Sequence, residues 1–180
     1  MNREAFDHAV RAAGAILGES EILVIGSQAL HGSIDGALPE EAERSVEADI
    51  AALDDSDDRK ADLIDGAIGE ASMFHGTFGY YAQGVSESTA ILPAGWRDRL
   101  CRYETPATNG VVAWCPEVHD LWLSKAAALR PKDIEFCDAL LARGLVDRET
   151  LRGRLDDLPD LDEDRRSRIG ALIDHSAPEP

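Results

Sequence analysis

The chain has 180 residues, 44% of them hydrophobic, enough to bury one core and to predict a single domain, or a single domain with a helical extension. Its 35 acidic residues against 18 Lys and Arg give a net charge of −17, the strongest objection to a nucleic-acid substrate unless the bases gather in a local patch. No apolar run approaches the roughly 20 residues of a membrane helix, and the start Met1-Asn2-Arg3-Glu4 lacks signal-peptide character, so a cytoplasmic protein without membrane contact is expected.

In chain order, Phe6, Val10, Ala13 and Leu17 share one helical face and predict a helix over 2–17, stopped by Gly18. The run Ile22-Leu23-Val24-Ile25 reads as a strand ending in Gly26-Ser27. Gly26 lets the backbone turn sharply and approach a ligand, while Ser27 adds a hydroxyl at the start of a short helix over 27–32, a seat for phosphate. Gly32, Gly36 and Pro39 punctuate an irregular connection. A second strand over 46–50 carries Glu47 and Asp49. Side chains at i and i+2 of a strand share a face, about 6.6 Å apart at ~3.3 Å per residue, so the two acids converge while Ala48 and Ile50 turn to the core. Magnesium or manganese favours such a pair together with substrate phosphates.

The acidic stretch Asp54-Asp55-Ser56-Asp57-Asp58 lacks the spacing of a calcium loop and reads as a solvated loop, with Asp57 or Asp58 capping a helix through Lys60, Leu63, Ile64, Ala67 and Ile68. Residues 73–85 are rich in Gly and aromatics. Phe74, Phe78, Tyr80 and Tyr81 either belong to the core or wall a base-binding cleft, and His75 reads as structural. Strand patterns return at 89–92 and 111–114. Pro116 opens a helix over 117–130, Pro131 breaks it, and a further helix runs to Arg143 before Gly144. Two more helices are expected over 147–155 and 161–173. Cys101, Cys115 and Cys137 are too widely spaced for a zinc site or disulfide frame and read as reduced thiols. Arg97, Arg99 and Arg102 form one basic group and Lys125, Arg130 and Lys132 another, each either solvated and paired or in contact with a ligand.

The order Gly-Ser, helix, acid-x-acid resembles the nucleotidyltransferase superfamily. Ile25-Gly26-Ser27-Gln28-Ala29-Leu30, Ser45-Val46-Glu47-Ala48-Asp49-Ile50, Phe74-His75-Gly76-Thr77-Phe78-Gly79-Tyr80-Tyr81, Leu92-Pro93-Ala94-Gly95-Trp96 and Asp120-Leu121-Trp122-Leu123-Ser124-Lys125 carry that likeness across residues 21–151. It is nearest to small bacterial members related to abortive-infection (AbiEii-like) and toxin–antitoxin nucleotidyltransferases. The resemblance implies an α/β fold, a small mixed twisted sheet of four or five strands flanked by helices. Residues 1–115 would form its core, 116–175 a helical C-terminal part, and 176–180 a disordered tail.

The resemblance further implies transfer of a nucleoside monophosphate from a nucleoside triphosphate to tRNA or protein, with an antitoxin protein as partner if the chain is a toxin. Glu47 and Asp49 would hold Mg2+ or Mn2+, and these acids with Lys125 would be catalytic. Gly26, Ser27, Lys125, Lys132 and Asp133 would bind nucleotide, with Asp133 orienting a lysine. Three departures stand out: Glu47 replaces the usual first Asp, the connection gains an insertion around 33–42, and strand 88–92 carries no third carboxylate, leaving Glu87 as its nearest substitute. The missing third acid and the acidic surface favour the alternative, a lapsed enzyme that keeps a nucleotide- or partner-binding cleft.

Overall fold

The computed structural model describes residues 1–55 and 59–175. Helix α1 (Arg3–Leu17) starts where Asn2 Oδ1 accepts the Ala5 N–H at 2.9 Å and ends at Gly18, whose φ of +67° suits a residue without Cβ. Strand β1 (Glu21–Ile25) follows, then a single 3-10 turn at Ser27–Ala29 and two one-turn helices, α2 (Leu30–Ser33) and α3 (Glu40–Glu43), inside the long connection expected there. Strand β2 (Glu47–Ala51) leads to α4 (Arg59–Ile68) and α5 (Met73–Phe78). Three short strands come next: β3 (Tyr81–Gly84), β4 (Cys101–Tyr103) and β5 (Val112–Cys115). Four helices complete the chain, α6 (Val118–Ala128), α7 (Pro131–Ala142), α8 (Arg148–Leu155) and α9 (Glu163–Asp174).

The strands form one mixed sheet in the order β3-β2-β1-β5-β4. β1 runs antiparallel to β2 and parallel to β5, β2 is parallel to β3, and β4 is antiparallel to β5. Alternation divides the sheet into two faces. Ile22, Val24, Ala48, Ile50, Ala82 and Ala113 enter the main core beneath the helices, where each fully buried Ile or Val contributes about 1.5–3 kcal/mol. Leu23, Ile25, Ala51 and Val85 make a smaller cluster on the opposite face, partly covered by Ala90, Trp96 and Trp114. Glu47 and Asp49 alternate with core-facing Ala48 and Ile50, so the acids share the side of this smaller cluster. The C-terminal helices hold together through α6, whose buried Trp122 donates its indole N–H to the Cys137 carbonyl of α7 at 3.0 Å.

The predicted strand at 89–92 is not formed. Glu87–Thr89 is a 3-10 turn, and Ala90, Ile91 and Leu92 pack as an unpaired segment ahead of Pro93, which has no N–H to donate. Beside β2 lies β3, whose residues the Gly- and aromatic-rich composition had hidden, and β4 is a second strand not anticipated. The cap assigned to Asp57 or Asp58 and the tail 176–180 lie outside the described residues; Asp55 accepts the Ala61 N–H at 2.8 Å near the start of α4. Among the described residues no helix is long and apolar enough to cross a membrane. All three cysteines are free thiols.

Candidate active-site cleft

Gly26 is the pivot on which the cleft is built. It sits at φ +72°, and a Cβ there would fall 1.9 Å from Asp49 Oδ2, so only glycine lets the end of β1 lie against the carboxylate of β2. The β1–β2 register, pairing Ile25 with Asp49, brings the two together. Ser27 follows at the cleft wall. The buried Gln28 braces the turn by donating to the Ala42 carbonyl at 2.8 Å and more weakly to Ser27 Oγ at 3.4 Å. The segment after Gly26 is a 3-10 turn and a one-turn helix, so a helix dipole adds little and the anion seat rests on Gly26 and Ser27 themselves.

Glu47 and Asp49 point into the same cleft, as the i and i+2 spacing predicts. Burial and the neighbouring Glu47 carboxylate, which hydrogen-bonds to it and repels a second negative charge, push the Asp49 carboxyl up to about 7, while Lys125 and Lys132 pull the other way. Glu47 is held by β3: its Oε2 accepts the Tyr81 hydroxyl at 2.9 Å. Across the cleft, Lys125 of α6 is nearly buried, and burial lowers its affinity for a proton against the opposing pull of Asp133 and Asp49. Its Nζ lies 3.7 Å from Asp133 Oδ1, and Asp133, itself buried on α7, also accepts from Arg130 Nε at 2.5 Å and Nη2 at 3.2 Å. Asp133 therefore orients Lys125 and Arg130, and Lys132 lines the cleft beside them.

The opening between these groups has a volume of about 350 Å³ and continues past Lys125 and Lys132 into a hollow of about 280 Å³ reaching Arg44 and Phe136. The sequence-predicted residues thus meet at one place: Gly26, Ser27, Glu47, Asp49, Lys125 and Lys132 line the cleft, with Asp133 directly behind Lys125. Sequence reasoning missed Ser45, Gln83 and Ser124, which line it too, and Tyr81 as the partner of Glu47. The signal available was the alternation Tyr81-Ala82-Gln83, polar groups on one face around a core alanine.

Other expectations fall elsewhere. Glu87 pairs with Arg97 and borders a separate hollow with Leu53 and Asp55, so it does not complete the acid pair. Phe74, Phe78 and Tyr80 cluster with His8 on the α1 side, the Tyr80 hydroxyl 2.7 Å from His8 Nδ1, and take no part in the cleft. His75 accepts the Ala71 N–H at 3.1 Å through Nδ1, a structural use. The first basic group is neutralised within the fold, Arg97 by Glu87, Arg99 by Asp120 and Arg102 by Glu104.

The fold thus joins a mixed sheet, with Gly-Ser at the end of one strand and paired acids on its antiparallel neighbour, to a nearly buried lysine across the cleft. Residues 5–171 match the family described as a nucleotidyltransferase of unknown function (DUF6036), and the chain belongs to that family. No curated protein and no solved structure matches the chain.

Proposed function

We propose that the cleft transfers a nucleoside monophosphate from a nucleoside triphosphate to an acceptor hydroxyl on tRNA or protein, with a divalent cation held by Glu47 and Asp49. The observation that carries this reading is a pair of half-buried acids on one strand, both lining the cleft, with a nearly buried lysine opposite them. Among the described residues no group of three or more His, Cys, Asp and Glu converges as a metal cage, so the protein offers two carboxylates. That donor set fits Mg2+ or Mn2+, which bind through one or two carboxylates together with substrate phosphates and water. When bound, the cation would offset negative charge on the phosphates.

In this reading Gly26 and Ser27 receive phosphate, and Lys125 and Lys132 bind the triphosphate tail. The acceptor oxygen forms a bond to the α-phosphorus as the bond to the β-phosphate oxygen breaks, the hydroxyl proton passing to solvent and pyrophosphate leaving. Lys125 and Lys132 then face the departing pyrophosphate, where fixed positive charge is worth most. Asp133 keeps Lys125 aimed at the cleft. Charge balance is local, so the overall −17 does not forbid the chemistry: Lys125, Arg130 and Lys132 stand together at this one place.

The test is incubation with each of four α-labelled nucleoside triphosphates, Mg2+ or Mn2+, and total cell RNA and protein, comparing wild type with Asp49→Asn. Label transferred by wild type, and reduced at least 100-fold in Asp49→Asn, supports the reading and identifies base and acceptor class. Equal transfer by both discards it. Growth arrest on expression, relieved by Asp49→Asn, would place the protein among toxin-type transferases and call for an antitoxin partner. A second reading, a lapsed enzyme retaining the cleft, is favoured by the missing third acid; nucleotide binding without pyrophosphate release under every metal tested would select it.

A further inference from the structure

The face of the sheet that meets the cleft carries a two-by-two array. On β2 stand Glu47 and Asp49; beside them on the parallel strand β3, in register, stand Tyr81 and Gln83. Residues in register on neighbouring strands sit about 4.8 Å apart and point to the same side. The core-facing Ala82 confirms the phase: it is fully buried, whereas Gln83 is exposed and lines the cleft. Three of the four, Glu47, Asp49 and Gln83, therefore line the cleft and offer it oxygen, and only two of these are acids.

The oxygens of those acids are also partly committed. Glu47 Oε2 accepts the Tyr81 hydroxyl, and Asp49 Oδ2 lies against the backbone of Gly26. A pair of divalent cations about 3.5–4 Å apart needs carboxylates both to bridge the ions and to hold each of them. Gln83, in register beside Asp49, has a neutral carboxamide that accepts and donates hydrogen bonds and carries no charge. On the opposite wall Lys125, with Arg130 behind it, already supplies fixed positive charge.

From this geometry we infer that the cleft takes one divalent cation, not two, and that Gln83 is the residue that sets this number by presenting an amide beside Asp49. The inference rests on the reading of Glu47 and Asp49 as metal ligands. Lys125 does the work of a second cation toward the phosphates, and Gln83 is left free to hydrogen-bond the nucleotide or the acceptor.

Electron paramagnetic resonance of Mn2+ tests this without reference to turnover. Wild type, Gln83→Glu and Asp49→Asn are each mixed with Mn2+ and the non-transferable α,β-methylene analogues of the four nucleoside triphosphates. The expected result is a spectrum of isolated Mn2+ in wild type, changed from that of the protein-free complex, and a spin-coupled pair in Gln83→Glu. A coupled pair in wild type overturns the inference while leaving Glu47 and Asp49 as ligands. Isolated Mn2+ in both wild type and Gln83→Glu shows that Gln83 does not set the number and overturns it too. A wild-type spectrum identical to the protein-free complex and to Asp49→Asn removes the metal-ligand reading and the inference with it. Gln83 is exposed, so the substitution is expected to fold; a thermal melt checks this, and the wild-type spectrum tests the count by itself.

Discussion

Two clusters of acids and bases lie on either side of α6, and they differ in how completely their charges are matched. At the N-terminus of α6, the fully buried Asp120 accepts from Arg99 Nε at 2.8 Å, Arg99 Nη2 at 3.2 Å and Arg154 Nη1 at 2.8 Å. Glu117 beside it pairs with Arg154 and accepts from His119 Nδ1 at 2.6 Å, while His119 Nε2 accepts the Asp147 N–H at 2.9 Å. At the C-terminal half of α6, Glu47 and Asp49 have one nearly buried lysine opposite them, itself shared with Asp133. Burial disfavours ionisation at both places. At Glu117 hydrogen bonds from His119 and Arg154, together with the Arg154 charge, outweigh it and hold the carboxyl at about 2; at Asp49 no such partners do, and the carboxyl rises to about 7. A satisfied cluster joins the C-terminal helices to the loop before β4. The unsatisfied one keeps an affinity for positive charge that a ligand can fill.

The sharpest way to break the comparison is to remove the centre of the satisfied cluster. Asp120→Ala leaves Arg99 and Arg154 without their shared partner in a buried place, and is expected to destabilise by about 3–5 kcal/mol. Denaturant unfolding at pH 7 checks this. A loss below about 1 kcal/mol would mean that water or other groups already compensate these charges, and the contrast with the cleft would fail.

What the sequence made legible follows the same division. Glu47 and Asp49 were readable because strand periodicity alone puts them on one face, and Gly26 because a strand ending in glycine marks a turn or a close approach. Lys125, Lys132 and Asp133 came from family resemblance, since nothing local to α6 and α7 says which sheet residues they oppose. The satisfied cluster was illegible: Arg99, Asp120 and Arg154 are separated by 21 and 34 residues and meet only through packing. β3 escaped because its four residues follow closely on Gly79 and end in Gly84, and their pairing with β2 is a long-range contact. The 89–92 segment misled for the opposite reason, a β-prone run that finds no strand to pair with in the sheet.

The cleft cluster predicts an opposite behaviour under mutation. Asp49 has its pKa raised above the unfolded value of 3.8, so its contribution to stability is fully present below about pH 3.8 and is lost as pH rises through about 7. Asp49→Asn removes the penalty of the ionised form. With a chelator present, the variant is expected to match wild type near pH 4 and to exceed it by about 1–2 kcal/mol at pH 8, allowing for partial exposure and for the coupling to Glu47. Unfolding curves at the two pH values check this, and an unchanged difference between them would show that the acid pair is not under charge strain. Gain of stability with loss of transfer in one substitution is what a site held ready for a ligand requires.

The smallest effect concerns Glu117, and its sign separates the two clusters most cleanly. Its pKa is lowered from 4.5 to about 2, so its contribution is present above pH 4.5 and lost as pH falls through about 2. The side chain is about one-quarter exposed, which leaves about 1 kcal/mol after solvent screening. Glu117→Gln is therefore expected to cost about that much at pH 7 and progressively less toward pH 2, whereas Asp49→Asn gains toward high pH. Thermal melts of the two variants across pH 3–8 follow both slopes at once. If Glu117→Gln proved stabilising at neutral pH, Arg154 would be answering to Asp120 alone, and the satisfied cluster would reduce to the single buried carboxylate between two guanidinium groups.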